Sequence, residues 1–285
     1  MTSVLITGAN GFIGRHLITK LRQLEQYTIH TVSSGEADIS QPMTWSDIPS
    51  VDVLIHLASK SSVPLSWEYP YHFIEKNCLG TALALEYCRK NSSRLIFLSS
   101  YMYGDAGSEP INESASIEAK NPYALTKYTS EVLCDFYCKN FGIDSRILRP
   151  FNVYGPMQSS SFLIPQLVRE AVSTRRVSVN DLHPRRDFLY VDDLVSAIVK
   201  LINYRGNYTV FNVGTGQSYS VEEVVNALQA VLGYTIDISC KGIRRKGEIM
   251  DSVASIQLAQ IELSWNPGYS LAQGLRKMLS VEGLI

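Results

Sequence analysis

The sequence predicts an α/β fold, a doubly wound parallel sheet with a smaller C-terminal α/β unit. Three observations predict it. Short β-branched runs alternate with stretches of helical period. The runs VLIHLA and RLIFLSS are apolar almost throughout, as strands covered by helices on both faces must be. A turn rich in glycine joins the first strand to the first helix.

The elements follow in order. Val4 to Thr7 reads as the first strand, and Ile13, Leu17, Leu21 and Leu24 then share one helical stripe. Thr28–Ser33, Val51–Leu57, Arg94–Ser99 and Asp144–Arg149 read as further strands, with helices expected near 70–91 and 121–141. Beyond Pro156 the rhythm loosens into a helix at 162–172, a loop rich in Arg, His and Asp, and the segments FLYVDDLVSAIVKLI and TVFNVGTG. Strands near 187–191 and 209–213 are expected to rejoin the first sheet. The expected division is a dinucleotide-binding domain over 1–155 plus 186–213, and a substrate domain over 156–185 and 214–285.

Composition narrows the function. The 285 residues are 45 % hydrophobic and 19 % charged, which excludes a disordered chain. A formal net charge of −1 leaves no basic excess to track a phosphate backbone, so nucleic acid is not an expected partner. With no apolar run of membrane-spanning length and no signal-type N-terminus, the expectation is a cytoplasmic protein. The five cysteines lack metal-type spacing, and Cys134 and Cys138 read as small apolar residues on a buried stripe. No metal site is expected.

The segment VLITGANGFIG ends a strand at Gly8 and opens a helix through Gly11 and Gly14. Glycine permits positive φ at such a turn, close approach of a pyrophosphate to the backbone, and tight packing of helix on strand. The helix N-terminus, with Phe12 and Ile13, then offers N–H groups to an anion. This is a Rossmann-like dinucleotide site. Where NAD-binding sheets carry a carboxylate for the ribose 2′-hydroxyl, the second strand here ends in Ser33. Losing that carboxylate removes repulsion against a 2′-phosphate, although no arginine follows to grip one. The expected cofactor is NADP or NAD, with NADP favoured.

The segment NPYALTK sets Tyr123 and Lys127 four apart, on one face of a helix. An unperturbed tyrosine pKa near 10 is about three units too high for easy proton transfer at neutral pH, roughly 4 kcal/mol. A neighbouring ammonium favours the phenolate and lowers that barrier. The fourth strand ends in Ser99 and Ser100, either of which can hydrogen-bond the same reacting oxygen.

With its three-residue glycine spacing and its Ser, Tyr and Lys set, the chain resembles the extended short-chain dehydrogenase/reductase superfamily. It is similar to the NAD-dependent epimerase/dehydratase branch, which acts mainly on nucleotide sugars. The resemblance runs in order through TGANGFIG, VDVLIHLAS, NCLGT, LSSYMYG, YALTK, LRPFNVYGP, RRDFLYVDDL, FNVGTG and RRKGE. It implies that Ser99 polarises the reacting oxygen, Tyr123 is the acid/base, and Lys127 tunes the tyrosine and binds the nicotinamide ribose. It further implies cofactor contacts from Gly8, Gly11, Phe12, Ile13, Gly14 and Ser33, with Asp38 and Ile39 at the adenine edge. Leu57, Ala58 and Ser59 would line the crevice, Asn77 would approach the cofactor, and Pro150 to Val153 would abut the nicotinamide.

For a nucleotide-diphosphate sugar, the resemblance implies a clamp of Arg186 and Arg245, with Ser100 and Asn152 also facing the substrate. The family's dehydratases carry Asp and Glu just after the catalytic Ser/Thr, where this chain has Ser100 and Tyr101. Dehydration is therefore disfavoured. The leading expectation is reduction of a 4-keto-6-deoxy nucleotide sugar; the alternative is a 4-epimerase with tightly bound NAD. A non-catalytic NAD(P) sensor is disfavoured because Ser99, Tyr123 and Lys127 are all present. The resemblance also implies a homodimer through the helices near 70–91 and 121–141, in which Val132, Leu133 and Phe136 serve either interface or core.

Overall fold

The computed structural model describes residues 1–33, 35, 37–106, 110–244 and 248–285. The chain opens with β1 (Thr2–Thr7), α1 (Phe12–Leu24), β2 (Tyr27–Val32) and β3 (Val53–His56). Short helices α2 (Val63–Glu68) and α3 (Pro70–Phe73) lead into a π-helical turn, Ile74–Leu79, and then α4 (Gly80–Asn91). There follow β4 (Arg94–Leu98), α5 (Pro122–Phe141), β5 (Ser145–Pro150), β6 (Asn152–Tyr154), α6 (Leu163–Thr174) and β7 (Arg176–Val179). The chain continues through β8 (Arg185–Arg186), β9 (Phe188–Tyr190), α7 (Val191–Asn203), β10 (Val210–Val213) and β11 (Tyr219–Ser220). It ends with α8 (Val221–Leu232), β12 (Asp237–Cys240), α9 (Gln257–Leu263) and α10 (Leu271–Val281).

Two compact units emerge. The first comprises 1–104, 115–149 and 195–211, and the second 105–114, 150–194 and 212–285.

The first unit carries a six-stranded sheet in the order β10-β5-β4-β3-β1-β2. β1 pairs in parallel with both β2 and β3, Val4 lying opposite Ile29 and Val53. Strand order reverses between β1 and β3, and at such a switch point the carboxyl ends of the strands open a ligand crevice. Gly8, Leu57 and Ser99 directly follow β1, β3 and β4, so parallel pairing brings all three to that one edge. The α/β class expected from the sequence is borne out. VLIH in β3 is buried along its whole length, the reason it reads as an apolar run.

Both helices that build the site have local causes. α1 buries Gly14, Leu17 and Leu21 on one stripe. α5 starts where the Asn121 side chain accepts the Ala124 N–H at 2.8 Å, with Pro122 in its first turn, and stops at Gly142 in the left-handed region. Leu5, Leu54, Leu85, Phe97, Cys134 and Ile147 belong to one packed core cluster. Burial pushes the Cys134 thiol up to about 12, which keeps it protonated as an apolar packing group.

In the second unit β6 pairs in parallel with β9, β7 with β12, and β8 with β11 in antiparallel sense. Reciprocal capping boxes start α8 (Ser220 with Glu223) and α10 (Ser270 with Gln273). The expectation that the strand near 187–191 rejoins the first sheet needs correction. β9 is held by β6, where the Asn152 N–H donates to the Asp187 carbonyl at 3.0 Å. The strand near 209–213 does join, as β10, and the Ile147 N–H donates to the Thr209 carbonyl at 2.7 Å. Among the described residues no helix is long and apolar enough to cross a membrane.

Candidate active site

Glycine is required where α1 meets β1. Gly8 has φ +73°, and a Cβ there would lie 2.8 Å from the Ala58 nitrogen. A Cβ on Gly14 would lie 2.3 Å from the Gly8 oxygen and 2.7 Å from the Ala9 oxygen. Gly11 is the N-cap of α1; no side chain caps that end and no acidic residue sits in the first turn, where Phe12 and Ile13 stand. The first-turn N–H groups thus have no side-chain acceptor at the cap, an arrangement suited to an anion.

The second-strand end is polar and buried. Ser33 is 3 % exposed and its carbonyl accepts the Ala37 N–H. Asp38 lies beyond it, one carboxylate oxygen accepting from the Ser40 N–H and hydroxyl and the other from the Lys76 ammonium. The Lys76 hydrogen bond is the main reason its pKa falls to about 2. Ile39 packs on α4, its Cδ1 filling the space a Gly80 side chain would need.

The loop after β3 is fastened twice. The Leu57 N–H donates to the Thr7 carbonyl and the Ala58 N–H to the Thr7 hydroxyl, while Ser59 follows half-buried. Asn77, in the π turn and 2 % exposed, spends its amide on the protein. It accepts from the Lys60 N–H (2.8 Å) and donates to the Lys60 carbonyl (3.0 Å) and the Thr126 hydroxyl (2.9 Å). The structure therefore gives Asn77 the work of tying the crevice loop to α5.

Tyr123 and Lys127 lie on one face of α5, beside the end of β4. Burial pushes the Tyr123 phenol up to about 12, against a Ser100 hydrogen bond that lowers it. Lys127 is 3 % exposed, its ammonium 2.7 Å from the Leu98 carbonyl and 4.9 Å from the Phe97 ring centre. Burial lowers it to about 8, partly offset by Glu131. Ser99 is also 3 % exposed, and its hydroxyl has no hydrogen-bond partner among the described residues. A buried polar group left unpaired is costly, which makes Ser99 a candidate for completing its bonding with a ligand atom.

His56 is a buried neighbour of Lys127 that the sequence reading did not single out. It ends β3, its Nδ1 lies 2.8 Å from the Thr7 hydroxyl, and its ring stacks on Phe97. Burial, then the Lys127 charge, depress its pKa to about 3, so it stays neutral. No spacing or motif singles out one buried histidine.

In the second unit, Pro150 is buried and Val153 half-buried, and the Asn152 amide donates to the Asp187 carbonyl at 3.3 Å. The Arg186 guanidinium is engaged by the Glu248 carboxylate and by the Arg185 and Ile249 carbonyls. Nothing in the sequence signals that pairing. Arg245 lies outside the described residues. Among the described residues no cluster of His, Cys, Asp and Glu could hold a metal ion.

A glycine cradle at the switch point, an uncapped helix start and an unsatisfied serine hydroxyl beside a Tyr–Lys helix fit a dinucleotide and its reacting substrate. Fold and site define an NAD(P)-dependent enzyme of the Rossmann type. The chain belongs to the NAD dependent epimerase/dehydratase family, whose sequence model matches residues 4–214. It is 29 % identical to the GDP-6-deoxy-D-mannose reductase of Pseudomonas aeruginosa over 97 % of this chain and 96 % of that one. The solved structure of RMD from Pseudomonas aeruginosa complexed with NADPH superposes with a TM-score of 0.92 at 28 % identity, covering 98 % of both chains. UDP-glucose 4-epimerase from Thermotoga maritima, solved with UDP-glucose, also reaches 0.92 at 27 % identity, covering 99 % of this chain and 98 % of that one.

Proposed function

We propose that the protein is a cytoplasmic NAD(P)-dependent oxidoreductase of nucleotide sugars that reduces a 4-keto-6-deoxy sugar, with Tyr123 as the proton donor. The observation that carries this reading is Ser33, 3 % exposed just after β2 where NAD-binding sheets carry a carboxylate, which suits the NADPH that commonly drives net reductions. With the Tyr123 phenol pushed up to about 12, it is protonated at neutral pH and ready to give a proton to an alkoxide as that forms.

A nicotinamide nucleotide, when bound, supplies the hydride. Gly8, Gly11, Phe12, Ile13 and Gly14 would take its pyrophosphate, Ser33, Asp38 and Ile39 its adenosine end, and Leu57, Ala58 and Ser59 the crevice wall. Asn77 would act there through the loop it fastens. Pro150 and Val153 would flank the nicotinamide, and Asn152, Ser100, Arg186 and Arg245 would face the sugar and diphosphate. Ser99 donates to the reacting oxygen, and the Lys127 ammonium holds the ribose and stabilises the charge Tyr123 is left with. Ser33 in place of a carboxylate supports NADP over NAD.

The similarity to a 4-epimerase supports a second reading, oxidation and re-reduction with retained NAD. One assay separates them. Stoichiometric loss of NADPH absorbance with a 4-keto-6-deoxy nucleotide sugar is expected of the reductase; interconversion of stereoisomers without net loss would sink it.

A homodimer is part of the proposal. Leu125, Tyr128, Val132 and Phe136 form an exposed apolar stripe along α5, and Trp67, Tyr71, Ile74 and Leu79 are exposed from α2 to the π turn. Leu133 instead packs on the core.

A further inference from the structure

We propose that the buried Glu131–Arg149 pair is a positioning device that sets the charge on Lys127. The inference rests on the reading of Tyr123 and Lys127 above. Tyr123, Lys127 and Glu131 follow one another at four-residue steps on α5, so all three lie along one face. Lys127 and Glu131, one helical turn apart, are 3 % and 5 % exposed, so their charges act on each other in surroundings that screen little. Arg149, near the end of β5, takes both oxygens of that carboxylate, Nε on Oε1 at 3.0 Å and Nη2 on Oε2. Its Nη1 donates to the Tyr103 hydroxyl at 2.9 Å, and its guanidinium lies 5.3 Å from that ring centre.

An unpaired carboxylate here would trap Lys127 as a permanent ion pair, whereas a carboxylate already forked by a guanidinium presents a weakened charge. The ammonium then stays on the Leu98 carbonyl, beside Ser99. Among the described residues, the groups facing Lys127 are few. They are Tyr123, Glu131 and Cys134 on α5, Cys78 from the π turn, His56 from β3, and the Phe97 ring and Leu98 carbonyl of β4. Both thiols are raised by burial and His56 is neutral, so Glu131 is the charge that matters. Burial lowers Lys127 to about 8 and Glu131 opposes that fall, which leaves the ammonium poised just above neutrality.

The test reads the alkaline limb of cofactor affinity, followed by NADPH fluorescence against pH, and the same limb of kcat. Glu131→Gln removes the anion and leaves Arg149 as a lone cation, so Lys127 loses its proton earlier and the limb moves down by about one pH unit. Arg149→Met removes the cation and bares the carboxylate, so the limb moves up. Glu131→Asp keeps the charge and restores the wild-type limb. Should Arg149→Met fail to fold, the Gln and Asp variants suffice. Loosened packing cannot shift the two halves of one pair in opposite directions. Superimposed limbs in wild type and Glu131→Gln, or a downward shift in both Glu131→Gln and Arg149→Met, would overturn the inference. A wild type that reduces no nucleotide sugar, with Glu131→Gln and Arg149→Met still shifting the cofactor-affinity limb in opposite directions, would sink the proposed function and leave this inference standing.

Discussion

The Lys127 ammonium donates to the Leu98 carbonyl at 2.7 Å, one residue before Ser99. The bond ties α5 to the end of β4 at the point where the reacting oxygen is expected. Lys127→Met is therefore expected to weaken cofactor binding and to lower kcat by roughly 10²-fold or more. Lys127→Arg should not restore either, because a planar guanidinium does not replace a compact ammonium in so enclosed a place. Fluorescence titration with NADPH and steady-state rates check both.

Tyr123→Phe removes only a hydroxyl. Turnover should fall by about 10²- to 10⁴-fold while NADPH still binds. Unchanged turnover would take Tyr123 out of its assigned role.

Gly14→Ala drives a methyl group into the Gly8 and Ala9 carbonyls. A loss of roughly 1–3 kcal/mol is expected, together with loss of cofactor affinity, since the turn proposed to meet the pyrophosphate must shift. Gly142→Ala is the control. It strains a positive φ at the end of α5 where no neighbour is close, and should cost about 1 kcal/mol with cofactor binding intact. Thermal melts with and without NADPH separate the two.

His56 makes stability depend on acid. Its folded pKa lies near 3 against 6.5 for a free histidine. Below about pH 6.5 the unfolded chain takes up a proton that the folded chain refuses. This one group thus costs about 1.4 kcal/mol of stability per unit of acidification until the folded pKa is reached. His56→Phe should flatten the stability profile between about pH 6 and pH 4.5, above the range where Asp38 titrates. Parallel urea-melt profiles for the two proteins would remove His56 as the cause.

Phe136→Glu places a charge in the middle of the exposed α5 stripe. Light scattering should then report a monomer in place of the proposed wild-type homodimer, with the helical content unchanged. A monomeric wild type would end the proposed homodimer.

The local parts of this molecule were legible in the sequence, and the long-range parts were not. The β1–α1 turn declares itself because only glycine tolerates the φ of Gly8 and the contacts at Gly14. Tyr123 and Lys127 are readable because a helix converts a spacing of four into one face. β9 pairs with β6 and not with the sheet, an outcome the sequence does not show because strand pairing is decided by partners that no local pattern names. Glu131 could have been noticed as the next step on the Tyr123–Lys127 face, but its partner Arg149 belongs to a strand. The same holds for Arg186 and Glu248, and for Asn77, whose side-chain partners Lys60 and Thr126 lie in two other segments.

The π turn at Ile74–Leu79 carries a consequence for how this chain can change over time. At about 100° per residue, deleting one position from the turn would restore an ordinary helix and swing everything upstream of it around the axis. Asn77 is anchored on one side to Lys60 and on the other to Thr126, so that swing would break its bonds. Substitutions can accumulate along this stretch, but its length is locked. A one-residue deletion there is expected to cost more than any exposed side-chain replacement in the same six positions.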